Sequence, residues 1–92
     1  MNYEQQVTES LSQATAKKLG LKSCYATMER ANVQLVIVGQ QEKAVVASVL
    51  MLGKIAEHPE WVAAFFNYKL NSMLDKKKFP PRTFDYFRFN ML

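Results

Sequence analysis

The chain reads as an α+β domain in which a small antiparallel sheet packs against helices, in the order α-β-β-α-α-β. Three observations predict this. Apolar residues recur at steps of three and four in 3–19 and again in 59–75, the spacing of an amphipathic helix. Val33-Gln34-Leu35-Val36-Ile37-Val38 is a contiguous, β-branched run suited to a strand. After Pro80-Pro81, residues 83–89 alternate, which is the period of a strand. A mostly α-helical alternative stands beside this one. It reads 23–38 as a helix, with Met28, Leu35 and Val38 on one face.

In the first helix, 3–19, the residues Tyr3, Val7, Leu11 and Ala14 share a face. Asn2 caps its start and Gln5, three residues on, reaches back in a capping box. Gly20 supplies the left-handed position after the helix end, and Leu21 folds back onto Ala16. Lys17 and Lys18 stand in the last turn, where the helix dipole favours cations. Residues 24–29 alternate weakly and pair with 33–38 as a hairpin, with Ala31-Asn32 as the turn. Gly39 ends the second strand.

Residues 41–57 read as a helix that is apolar nearly all round, which places it in the core or in an interface. His58 and Pro59 open the next helix, 59–75, because proline suits the first helical turn. Trp61, Phe65 and Tyr68 form one edge of it, and Val62, Phe66, Leu70 and Met73 another. The spacing of Trp61 and Tyr68 is read as core. Pro80-Pro81 stops the helix and sets a short extended segment. The strand 83–89 has aromatic groups on both faces and adds most simply to the earlier hairpin.

At 92 residues the chain is one domain, 1–92, whose last part, 76–92, is basic and aromatic. Apolar residues make up 49%, too many for an intrinsically disordered chain. A chain this short buries only about 60–65% of its unfolded surface, so a partner or a second copy adds useful stability. Cys24 is the only cysteine, which fits a reducing, cytoplasmic setting without a disulfide. The N-terminal residues are polar and lack the apolar core of a signal peptide. The longest apolar stretch, 44–52, falls well below the ~20 residues that span a bilayer.

Charge is distributed unevenly. Residues 1–68 hold six basic and six acidic side chains, whereas 69–92 hold six basic and two acidic, so the whole net charge of +4 lies at the end. Lys76, Lys77, Lys78, Arg82 and Arg88 supply that excess together with Lys69, and Phe79, Phe84, Tyr86 and Phe87 are interleaved among them. Cations at phosphate spacing with rings that stack on bases are what a nucleic-acid contact requires. The same pattern also arises from a solvated helix end followed by an edge strand kept soluble by charge. The expected partner-binding residues are Lys76, Lys77, Lys78, Phe79, Arg82, Phe84, Tyr86 and Arg88. No ribonucleoprotein sheet motif accompanies them.

Catalytic signals are sparse. Three glycines, Gly20, Gly39 and Gly53, make no phosphate loop. His58 is the single histidine and reads as a helix-opening residue. Cys24 with His58 is too small a set for zinc, and Cys24 reads as a buried small hydrophobe. The expectation is a non-enzymatic binding protein without a cofactor. Its basic aromatic end docks on a nucleoprotein or nucleic-acid-processing complex, in the manner of an inhibitor encoded by a phage or mobile element, or on an acidic protein surface. The alternative is a protein–protein adaptor or a homo-oligomer that touches no nucleic acid. No membrane role is expected.

Overall fold

Asn2 opens the first helix, α1 (Tyr3–Glu9), as its spacing predicts. Its side-chain oxygen accepts the Gln5 N–H at 2.9 Å, and the Gln5 side chain accepts the Asn2 N–H at 3.2 Å. This reciprocal box satisfies two helix-end donors that would otherwise have no partner. The computed structural model describes residues 2–75 and 88–91, in the order α1, α2 (Gln13–Lys18), β1 (Ser23–Glu29), β2 (Asn32–Val38), β3 (Glu42–Leu50), a 3-10 turn (Gly53–Glu57), α3 (Pro59–Asp75) and β4 (Arg88–Met91). The α+β class with a small antiparallel sheet is the one expected.

The single helix expected over 3–19 is two. Ser10 ends α1, and Ser12 starts α2 by accepting the Thr15 N–H on its hydroxyl. Serine competes well with the backbone for hydrogen bonds, so it favours caps over helix interiors. The break rotates the second half, so Ala14 is exposed and Thr15, Ala16 and Leu19 are buried in its stead. The helix end agrees with expectation. Gly20 has φ +84°, its N–H reaches Lys17 O and that of Leu21 reaches Ala16 O, the two bonds of a Schellman motif.

Strands β1 and β2 form the expected hairpin, with Glu29 opposite Asn32, and the helical alternative for 23–38 is set aside. The tight turn is Arg30-Ala31, and Arg30 rather than Asn32 takes the left-handed φ of +57°.

The largest correction concerns 41–57. The expected all-round apolar helix is a strand, β3, followed by the 3-10 turn. A run that is apolar on every side satisfies both templates, and the β-branched Val45, Val46 and Val49 tip it toward the sheet. Leu35 pairs with Ala47 and Val36 with Val45, so Val46 is the additional residue of a bulge. Gly53 has φ +57° and opens the 3-10 turn rather than lying inside a helix.

The sheet order is β1-β2-β3-β4, all neighbours antiparallel. The final strand therefore adds to β3 and not directly to the hairpin, because β3 occupies the position beside β2. Its described part, Arg88–Met91, pairs with Glu42, Lys43 and Ala44. Residues 83–87 of the expected strand lie outside the described residues.

Three helices cover one sheet face. Val33, Leu35 and Ile37 of the central β2, with Cys24 and Ala26 of β1 and Ala44 of β3, meet Val7, Leu11, Ala16, Val62, Ala63, Phe66 and Leu70 from the helices. Burying each of the larger side chains contributes about 1.5–3 kcal/mol. On the opposite face Val36 is also fully buried, outside that cluster. The Lys43 ammonium donates to the Tyr25 hydroxyl at 3.4 Å and so spans β2 on this side.

An exposed strand edge invites pairing with other chains. The outer edge of β1 is occupied instead by side chains of the first two helices. Gln13 Nε2 donates to Cys24 O at 2.9 Å while its Oε1 accepts the Cys24 N–H at 3.1 Å, as a neighbouring strand would. Two residues on, Thr8 Oγ1 accepts the Ala26 N–H at 2.8 Å and donates to Glu4 O. Gln13→Ala is expected to lower stability by about 1–2 kcal/mol by leaving both Cys24 groups without partners. Urea unfolding should show a lower midpoint at constant slope, and an unchanged midpoint would refute this role for Gln13.

Candidate partner-binding surface

Helix α3 carries apolar residues on two edges, and only one of them is used by the core. Val62, Phe66 and Leu70, spaced four apart, are buried together with Ala63. Trp61, Phe65 and Tyr68, spaced four and three apart, are 48%, 42% and 67% exposed. The expectation that Trp61 and Tyr68 belong to the core is thus overturned. The core side is already filled by the other edge, and the rotation of the helix about its axis turns these rings outward.

Two asparagines set that rotation. Asn67 Nδ2 donates to Ser10 O at 2.9 Å, and Asn67 Oδ1 accepts the Ser12 N–H at 2.8 Å. One turn later, Asn71 Oδ1 accepts from the Thr15 hydroxyl at 3.3 Å. Both asparagines therefore face the junction of α1 and α2, and they lie between the buried row and the ridge of rings.

At the N-terminal end of α3 the Trp61 ring is held by a neighbour. The His58 ring stacks on it with centroids 4.0 Å apart and planes 13° from parallel. His58 Nδ1 lies 2.9 Å from Glu60 Oε2. The hydrogen bond from His58, with help from the Glu60 backbone, holds the Glu60 carboxyl below its ordinary range. Tyr3 of α1 donates its hydroxyl to Ile55 O and thereby fastens the 3-10 turn. Burial, and secondly the charge of Glu60, push the Tyr3 hydroxyl upward in pKa.

Between β3, the 3-10 turn and α3 lies an open cleft of about 360 Å³, lined by Ser48, Val49, Ile55, Trp61, Val62 and Phe65. Its lining offers one hydroxyl and no titratable group. It can receive an apolar side chain but cannot by itself move a proton. Among the described residues no three His, Cys, Asp or Glu side chains are grouped to hold a metal. Cys24 is buried, and burial raises its thiol pKa, which leaves it poorly nucleophilic.

Of the residues expected from the sequence, Arg88 begins β4 opposite Ala44. Lys76, Lys77, Lys78, Phe79, Arg82, Phe84 and Tyr86 lie outside the described residues. The chain enters that basic stretch directly from the end of α3 at Asp75 and leaves it into β4. The exposed ridge was not anticipated as a surface, because both edges of α3 carry large apolar side chains; the Trp61 indole N–H and the Tyr68 hydroxyl, polar ends on one edge alone, were a signal for it. Asn67 and Asn71, polar residues between the apolar rows, were a further signal for its orientation.

No helix among the described residues is long and apolar enough to cross a membrane. No family model, curated protein or solved structure matches the chain.

Two measurements check this arrangement. The Glu60 carboxyl, followed by NMR, should titrate below an ordinary glutamate, and His58→Ala should move it back upward. A carboxyl that titrates normally in the unsubstituted chain contradicts the His58 contact. Asn67→Ala should cost about 0.5–1.5 kcal/mol by removing its bonds to the exposed Ser10 O and the half-buried Ser12 N–H. It should also alter Trp61 fluorescence as α3 loses its fixed rotation, and a silent substitution would assign the orientation to core packing alone.

Proposed function

We propose that this chain is a non-enzymatic binding protein with two contact elements. The aromatic ridge of α3 and the cleft beside it form a protein contact surface. The basic aromatic stretch after α3, with Lys76, Lys77, Lys78, Phe79, Arg82, Phe84, Tyr86 and Arg88, docks on a nucleoprotein or nucleic-acid-processing complex. The observation that carries this reading is the exposure of Trp61, Phe65 and Tyr68 in a row on a helix whose other edge is the core. Contact surfaces are enriched in aromatic rings and depleted of charge at their centre, and this row matches that composition. Large rings left in solvent otherwise invite unspecific aggregation.

The charge pattern supports the second element. Residues 1–68 are electrically balanced, and the net +4 lies wholly beyond them. A neutral body with one cationic segment concentrates its attraction for phosphates or acidic surfaces at that segment. Inhibition of such a complex, of the kind encoded by phages and mobile elements, is the biological role we attach to this docking.

The test is capture from host extract at several salt concentrations, with and without nuclease. We expect capture to fall steeply with salt and to disappear when Lys76, Lys77 and Lys78 are all changed to alanine, because each lost cation removes a phosphate contact and its counterion release. Capture that is indifferent to both salt and the triple substitution would overturn the nucleoprotein reading.

A further inference from the structure

We infer that Lys17, Lys18 and Lys22, on the turn that ends α2, bind the phosphate backbone of the nucleic acid in the docked complex. This rests on reading the basic stretch as a nucleoprotein contact, and it extends that contact to residues of the folded body.

The fold brings these lysines to the end of the body from which the basic stretch leaves. Asn67 bonds Ser12 and Asn71 bonds Thr15, so α2 and α3 run side by side in the same sense. The last turn of α2 therefore points as α3 does, toward Asp75, after which Lys76, Lys77 and Lys78 follow in the chain. In the sheet, Lys22 N–H donates to Val38 O at 2.9 Å. Cys24, Ile37, Ala44 and Arg88 stand in one row across the strands. Arg88, which opens β4, thus lies at the same end of the sheet as Lys22. Three strand spacings, about 14 Å, separate it from Cys24.

Residues 2–75 hold seven basic and seven acidic side chains, yet these are sorted by position. The Asp75 end carries Lys17, Lys18, Lys22 and Lys43 against Glu42 and Asp75, an excess of positive charge. At the opposite end Tyr3 bonds Ile55 O and Met51 N–H bonds Ala31 O. That end carries Glu4, Glu29, Glu57 and Glu60 against Arg30 and Lys54, an excess of negative charge. Lysines gathered at the end that leads into the cationic stretch repel it in the free chain. Beside a polyanion both sets are neutralised together.

Cations in a last helical turn are commonly engaged by the final carbonyls. Here three of those carbonyls are already used, because Leu19, Gly20 and Leu21 N–H donate to Thr15, Lys17 and Ala16 O. Lys17, Lys18 and Lys22 are exposed, and none makes an ion pair among the described residues. They lie within six residues folded about Gly20. Ammonium groups act as point charges that suit successive phosphates, and they lack the planar fork with which arginine grips one carboxylate.

The test titrates the purified full chain into fluorescein-labelled DNA and RNA oligonucleotides of mixed sequence, read by anisotropy at several salt concentrations. Changing Lys17, Lys18 and Lys22 together to alanine should weaken binding and lower the slope of log affinity against log salt by about 2–3, since each phosphate contact contributes roughly 0.7–0.9. Changing all three to arginine should restore the slope, and Lys54→Ala, at the opposite end, should leave it unaltered. Circular dichroism and the urea midpoint of the alanine variant should match those of the native chain. If that midpoint falls, Lys22→Ala alone replaces it, and its slope should drop by about 1. Binding that survives the Lys17, Lys18, Lys22 variant but is lost when Lys76, Lys77 and Lys78 become alanine overturns the proposal and leaves the docking function in place. Polyglutamate that displaces the oligonucleotide at equal charge concentration also overturns it, assigning the lysines to an acidic protein surface. A native chain that ignores both oligonucleotides at low salt overturns it as well, while salt-dependent capture from extract decides the docking function separately.

Discussion

Asn67 is a single amide that reaches two backbone groups of another segment, and much of the helical layer depends on it. The chain breaks between α1 and α2, and Ser10 O and Ser12 N–H are left over at the break. Ser12 N–H is half-buried and gains from a protein partner, while Ser10 O stands at the surface. Asn67 answers both groups from α3. This one contact joins three helices, sets the angle between α1 and α2, and locks α3 about its own axis. The buried edge through Phe66 and the exposed edge through Trp61 are two consequences of the same orientation.

The sheet is protected by comparable means. Its β1 edge is closed by Gln13 and Thr8, side chains that act as a partial fifth strand. Its other side continues through β3 into the short β4. The bulge at Val46 shifts the register of β3 partway along, so that Ala47 and Val49 return to the helix-facing side. Without that additional residue, every side chain beyond it would change faces. The same bulge therefore allows Val49 to stand in the wall of the cleft beside Trp61.

Electrostatics and packing divide the molecule differently. Packing makes one body from the helices and sheet, with balanced charge. The excess of cationic residues lies beyond residue 68, and an uneven charge of this kind bears on association rather than on fold. The aromatic ridge belongs to the body, and Lys76, Lys77 and Lys78 follow α3 in the chain.

Several features were determined by local sequence. The Asn2–Gln5 box, the Gly20 helix end, the β1–β2 hairpin and the course of α3 each rest on residues close together in the chain, where local geometry dominates. The uneven charge was likewise legible from composition. Tertiary structure decided the rest. Residues 41–57 are apolar on all sides, so their periodicity did not choose between helix and strand, and pairing with β2 chose the strand. The serines at 10 and 12 became a break because Asn67, over fifty residues away, satisfies it. Which edge of α3 faces solvent was also beyond local reasoning. Both rows are large and mostly apolar, although the Trp61 indole N–H and the Tyr68 hydroxyl give one row polar ends. Packing of Val62, Phe66 and Leu70, together with the contacts of Asn67 and Asn71, places one row in the core and the other at the surface.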